Sequence, residues 1–150
     1  GVPAIYFNSL FGTSNDEAKY IITGNNRDLN RYRWNHKNIT EKLKNKKSKQ
    51  SIFYKSITDL LEIRRKQKAF HPNGLRSYIN FGPKIFGFKR QSLDKRQIII
   101  CVTNLSSKNQ FIKINRNYTL WKSLINPNKK IKKTKYLQLK PFETEWLSNI

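Results

Sequence analysis

Gly1-Val2-Pro3-Ala4-Ile5-Tyr6-Phe7 opens the chain. An apolar run of this kind has the pattern of a parallel β-strand covered on both faces, and such a strand needs neighbours on either side. The residues that follow do not supply them, so the run reads as one strand of a larger sheet in a chain cut from a longer one. Asn8 to about Asp28 is polar, Gly-containing and rich in Asn, and it leads into Leu29-Asn30-Arg31-Tyr32-Arg33-Trp34. This reads as a long loop, and long loops inside compact domains are usually functional.

Beyond the loop the period becomes helical. A helix is expected from near Asn38, and a Lys-rich turn, Lys42 to Lys49, leads to a stronger one. There Phe53, Ile57, Leu60 and Leu61 fall at i, i+4, i+7 and i+8, with Ile52 and Ile63 widening the stripe, and Pro72 and Gly74 end it. From Leu75 the period shifts towards two. Short strands are expected at Ser77 to Phe81, Ile85 to Lys89, Gln97 to Asn104, Phe111 to Ile114, Tyr136 to Leu139 and Thr144 to Leu147. Separated by Gly, Pro, Asn and Ser, they point to an antiparallel sandwich. The expected division is therefore 1–73 and 74–150, and the tract Lys129 to Lys135 reads as a solvated loop.

Lys and Arg number 31 against 9 Asp and Glu, a net charge of +22. That balance would ordinarily suggest a nucleic-acid partner. Asn and Ile are also heavily used while Ala and Gly are scarce, as an A+T-rich coding sequence would produce, so much of the lysine reads as inherited composition. The single cysteine, Cys101, excludes an intrachain disulfide. Its apolar surroundings, Ile98-Ile99-Ile100-Cys101-Val102, mark it as a buried thiol. No apolar run approaches the ~18 residues of a membrane span. A soluble, reducing compartment, the cytoplasm, is expected.

No catalytic constellation is visible. The carboxylates are Asp16, Glu17, Asp28, Glu41, Asp59, Glu62, Asp94, Glu143 and Glu145. None sits where a barrel enzyme would place a catalytic acid, and Asp59 and Glu62 read as surface partners of arginines. His36 and His71 have no Cys or His at ligand spacing, so no metal and no cofactor is expected. Neither a Gly-x-Ser-x-Gly elbow nor a phosphate-cradling P-loop is present.

The opening run resembles the Gly-x-Pro-x-x-Tyr segment on the last barrel strand of the α-amylase superfamily (glycoside hydrolase family 13). Leu10-Phe11-Gly12-Thr13-Ser14-Asn15-Asp16 and Thr23-Gly24-Asn25-Asn26-Arg27-Asp28-Leu29-Asn30-Arg31 resemble the loop after that strand in sucrose phosphorylases and related glucoside phosphorylases. Ile63-Arg64-Arg65-Lys66-Gln67-Lys68-Ala69-Phe70-His71-Pro72 is similar to their last barrel helix. Phe86 to Ser92, Thr103 to Ser106 and Glu145 to Asn149 are similar to parts of their C-terminal sandwich. The matches are collinear over the chain. One departure concerns Asn25, near which several relatives carry a second arginine in a Gly-Arg-x-Arg arrangement.

The resemblance implies an α/β plus all-β chain: the last strand and helices of a (β/α)₈ TIM barrel in 1–73, then a C-terminal β-sandwich in 74–150. A whole barrel takes about 250 residues, so only its end would be here. It further implies a parent enzyme that moves a glucosyl unit from sucrose or a related glucoside to inorganic phosphate, giving glucose 1-phosphate with retention. The nucleophilic aspartate, the acid-base glutamate and the stabilising aspartate would all precede Gly1, leaving the chain itself inactive. Arg27 is the implied ligand of phosphate in the acceptor subsite, since a guanidinium stays charged and forks onto two oxygens. A pairing of Arg27 with Asp16 or Asp28 that merely orders the loop is the competing reading. Asn15 and Asp16 would shape the subsite or form a turn, and Arg31 would tie the loop to the barrel.

The sandwich strands offer no chemical group in an unusual setting, and Trp121 and Trp146 read as core or interdomain anchors. Two other classes remain: a basic nucleic-acid-binding module, which needs one continuous basic face, and a noncatalytic carbohydrate-binding sandwich, which needs an exposed aromatic row. Partners are expected to be sugar and phosphate in the parent, with no specific nucleic acid and no membrane. Nothing in the sequence specifies an oligomeric state.

Overall fold

A computed structural model of the chain describes residues 2–113, 121–129, 131 and 136–150. They form two compact units, Val2–Glu62 and Ile63–Ile150.

The first unit is helical. Residues 2–6 form neither helix nor strand and are exposed, Val2 at 79%. Residues 2–6 thus do not form the expected barrel strand, because among the described residues no neighbouring strand offers their backbone the hydrogen bonds that an extended run requires. The expected loop is instead three short helices, α1 (Phe7–Leu10), α2 (Glu17–Thr23) and α3 (Asn26–Leu29). Local capping explains α2 and α3. Asp16 accepts from the Lys19 amide at 3.1 Å to start α2, Gly24 at φ 63° ends it in the left-handed region, and Asn25 accepts from the Arg27 amide to start α3. Asn35 caps α4 (His36–Lys44), slightly ahead of the expected start, and α5 spans Lys49–Arg65.

Aromatic packing holds this unit. Phe11 is buried, edge-on to Phe7 at 4.9 Å and stacked on Tyr54 at 5.7 Å. Buried Asn8 donates to the carbonyls of Asn30 and Tyr32, closing residues 8–32 into one loop of chain. Phe53 closes over Gly12, where an added Cβ would stand 2.6 Å from its ring. The stripe expected on α5 is only half covered: no residue of that helix is fully buried. Its charged surface pairs Asp59 with Lys55 one turn earlier, at 2.8 Å, in place of the expected arginine.

The second unit is an antiparallel sandwich. Its larger sheet has the order β1 (Leu75–Tyr78), β2 (Ile85–Gln91), β3 (Ile98–Asn104), β7 (Thr144–Ser148) and β5 (Lys122–Ser123); β4 (Gln110–Lys113) pairs with β6 (Tyr136–Leu139). Central β3 is buried at six of seven positions. On one face Ile85, Ile100, Val102 and Leu147 pack with Ile112, Leu137 and Leu139 of the smaller sheet. On the other, Ile99 and Cys101 pack with Ala69 and Phe70 from a 3-10 turn, Lys68–Phe70. The thiol is buried, as its surroundings in sequence indicated. Asn104, wholly buried, donates to the carbonyls of Lys108 and Lys140 and accepts from Ser106, which fixes the turn after β3.

Candidate functional site

The segment singled out in the sequence, residues 15–31, lies within the first unit. Asp16 both caps α2 and donates its own amide to the Leu29 carbonyl at 2.7 Å, so the two ends of the segment are bonded together. Asp28 accepts an ion pair from Lys19 at 2.7 Å. Bonds from the Lys19 ammonium and then the Thr23 hydroxyl hold its carboxyl below the usual aspartate range.

Arg27 is exposed on α3. Its amide bonds Asn25, while its guanidinium makes no hydrogen bond or ion pair among the described residues. The loop-ordering pairing with Asp16 or Asp28 is therefore not formed; Asp28 is taken by Lys19, and Asp16 by its cap. Arg31 is exposed as well, with its amide donating to the Asp28 carbonyl. An open recess of about 440 Å³ adjoins the segment, lined by residues 13–18 with Tyr32, Trp34 and Gln50. Asn15 and Asp16 lie on its wall, whereas Arg27 and Arg31 do not. Trp34 is anchored there by its indole N–H, which donates to Thr13 Oγ1 at 2.9 Å. The recess offers hydroxyls, the two carboxylates of Asp16 and Glu17 and an indole, the groups that bind polyols, and Arg27 stands outside it.

The second unit holds a cluster that reading the sequence missed. Glu145 is wholly buried on β7, where its carboxylate accepts from Ser123 Oγ, from Asn126 Nδ2 at 2.8 Å and from Lys129 Nζ at 2.9 Å. Lys129 also pairs with Glu143 at 2.7 Å. Two expectations are corrected: Lys129 is not part of a solvated tract, and a sandwich strand does carry a group in an unusual setting. The remaining lysines of the tract lie outside the described residues. A signal was present, because alternation along β7 puts Glu145 on the same face as the core residue Leu147, and a carboxylate there must find a cation. All lone pairs that matter are occupied, so the cluster braces the fold.

Trp146 packs edge-on against Phe70 at 5.0 Å and Trp121 packs against the core, both as anchors. His71 Nδ1 accepts from the Asn73 amide, and the described residues contain no grouping of His, Cys, Asp and Glu able to hold a metal. Among the described residues no helix is long and apolar enough to cross a membrane.

Comparison with known proteins agrees with the resemblance. No family model matches the chain. A glucosylglycerate phosphorylase of Spirochaeta thermophila is 32% identical over 106 residues, covering 71% of this chain and 18% of the relative. The glucosylglycerate phosphorylase of Escherichia coli K12 is 30% identical over 105 residues, again 18% of its length. The chain thus spans under a fifth of these relatives. In structure it is similar to the trehalulose synthase MutB of Pseudomonas mesoacidophila MX-45, with a TM-score of 0.55 and 16% identity, over 73% of this chain and 19% of that one. At that identity the likeness concerns the fold.

Proposed function

We propose, from the premise that this chain is a relative of the glucoside phosphorylases of the α-amylase superfamily, that it is the C-terminal part of a retaining glucoside phosphorylase. The observation that carries the reading is the 32% identity over 106 residues to a glucosylglycerate phosphorylase. It favours a glucosylglycerate-like donor over sucrose. Residues 1–73 would complete the wall of a (β/α)₈ barrel and 74–150 form the sandwich that follows it. The exposed apolar side chains of the first unit, Val2, Ile21 and Ile22 among them, suit a segment that the rest of a barrel covers.

In such an enzyme a carboxylate attacks the anomeric carbon while an acid protonates the departing glycosidic oxygen. A phosphate oxygen then attacks the same carbon from the opposite side and releases the carboxylate, so two inversions give net retention. This chain supplies the acceptor side. Arg27 holds the phosphate: it stands on a capped, internally bonded segment, and no carboxylate of the chain neutralises it. Asn15 and Asp16 shape the recess for the hydroxyls of the leaving group, and Arg31 orients the end of the segment.

The test is a chimaera in which this chain replaces the matched stretch of the Escherichia coli relative. Arg27→Lys keeps the charge and loses the fork, so phosphorolysis should fall by about ten- to a hundred-fold, the equivalent of one charge-assisted hydrogen bond. Free glucose should rise relative to glucose 1-phosphate as water takes the place of phosphate. If Arg27→Lys leaves both products unchanged, Arg27 is not the phosphate ligand.

A further inference from the structure

Away from the segment just discussed, the second unit contains a cavity of about 270 Å³ on one face of the larger sheet, across β1, β2, β3 and β7. Its walls carry three guanidinium groups, Arg64, Arg76 and Arg90, together with the rings of Tyr78, Phe86 and Phe88, and no Asp or Glu lines it. The register is unusual: Arg76 on β1 stands directly opposite Arg90 on β2. Like charges placed so in a bare sheet repel one another.

The arginines are held in place by other contacts. Arg90 is 5% exposed, donating through Nε to the Ala69 carbonyl and through Nη2 to the His71 carbonyl. Both bonds use one edge of its fork and leave the Nη1 side outside them. Arg64 donates to the Phe70 carbonyl at 3.2 Å and lies 5.1 Å from that ring, while Arg76 lies 5.7 Å from the Tyr78 ring.

We propose that this cavity binds a small organic oxyanion, a carboxylate or phosphate carried on a flat ring. The arginines would grip its oxygens and Phe86 and Phe88 would cover the ring. Guanidinium forks match both oxyanions, and the apolar walls lower the local dielectric and strengthen that grip. The volume is near the lower end for small-molecule pockets, about 300 Å³, which suits a single ring. The lining is short of negative charge, and this shows in Arg90 itself: burial, then the fields of Arg64 and Arg76, lower its pKa. A bound anion relieves that repulsion. The chemistry is binding alone: the Cys101 thiol on the wall is buried and pushed up to about 12, first by burial. The site is independent of the function proposed for residues 15–31.

Calorimetric titration of the chain with phenyl phosphate, benzoate and inorganic phosphate tests it. The two ring-bearing anions should bind saturably at one site, and inorganic phosphate should bind about ten-fold more weakly, having no ring to bury. Comparing benzoate with phenyl phosphate tells carboxylate from phosphate recognition. Arg76→Gln, at an exposed position that folding does not require, should weaken ring-bearing anions by about ten-fold, one charged hydrogen bond. Lys46→Gln, a remote control for the overall charge, should change nothing. Amide shifts on binding should be confined to the strands around Arg76, Phe88 and Cys101. Absence of saturable binding, equal weakening in the two variants, or shifts spread over the lysine-rich turns would each overturn the proposal.

Discussion

Lys129 answers two carboxylates at once, and its titration and that of Glu143 make the stability of the second unit depend on pH. Burial alone would raise Glu143, but the Lys129 ammonium and the Lys140 amide outweigh it and hold the carboxyl below its ordinary 4.5. Burial alone would lower Lys129, and the pair of carboxylates outweighs it, leaving the lysine above its ordinary 10.5. A depressed acid contributes stability above its unfolded pKa that is lost as pH falls through the folded one. A raised base contributes stability below its unfolded pKa that is lost as pH rises through the folded one. Urea midpoints should therefore drop below about pH 4.5 and again above about pH 10.5. Lys129→Met should cost about 3 kcal/mol at pH 7, because it strands buried Glu145 without its cation, and it should abolish the alkaline loss. A Lys129→Met variant as stable as the parent would show that the cluster does not brace the sandwich. Cys101 gives a simpler check: native chain should resist iodoacetamide at pH 8 and react once unfolded, and rapid native labelling would contradict its burial.

At the scale of elements, the strands were far more legible than the opening residues. β6 spans Tyr136–Leu139, the positions that alternation picks out; β2, β3 and β7 differ from expectation by one or two residues at one end, β4 begins one residue early with its expected end, Ile114, outside the described residues, and β1 spans Leu75–Tyr78 where Ser77 to Phe81 is expected. Alternation works there because one face of each strand meets a core, and register is then enforced residue by residue. β5 went unseen because two residues carry no period. The run Val2–Phe7 failed for another reason: its pattern describes a strand among neighbours, and a strand exists only where a partner bonds it. The stretch after residue 8 hid α2 and α3 because their signals are caps, Asp16, Gly24 and Asn25, rather than apolar stripes. Of the residues named from sequence for the proposed acceptor site, Asn15 and Asp16 line the recess and Arg27 and Arg31 stand outside it, whereas the buried Glu145–Lys129 cluster and the arginine cavity depend on register between distant strands.

Two measurements follow at this scale. Hydrogen exchange should be slowest at Ile99–Val102 of β3 and fast at residues 2–6, with α1 to α3 intermediate, since helices of four to seven residues are marginal without packing. Strong protection of residues 2–6 in the chain alone would show that the opening run has found a partner. Gly74→Ala should destabilise the second unit by about 1–3 kcal/mol, as overpacking does. Its Cβ would meet the Gln91 carbonyl oxygen at 2.8 Å and those of Ala69 and His71 at 3.1 Å, all backbone atoms that cannot swing aside. An unchanged urea midpoint for this variant would mean that the backbone there yields.

For the whole molecule, the motifs that resemble the glucoside phosphorylases are the part of the sequence reading that the relatives support. A net charge of +22 names no partner by itself, whereas the resemblance carried by the motifs agrees with relatives named as glucosylglycerate phosphorylases over 106 and 105 residues. The proposed division of labour, with acceptor recognition here and the reacting carboxylates elsewhere in the enzyme, makes a plain demand. The decisive measurement is glucose 1-phosphate formation from glucosylglycerate and phosphate by three proteins: the 150-residue chain, the Escherichia coli relative lacking its matched stretch, and the chimaera that joins them. Activity should appear in the chimaera alone. Turnover by the purified chain that disappears on substituting one of its own carboxylates, or a folded chimaera that makes no glucose 1-phosphate, would contradict it.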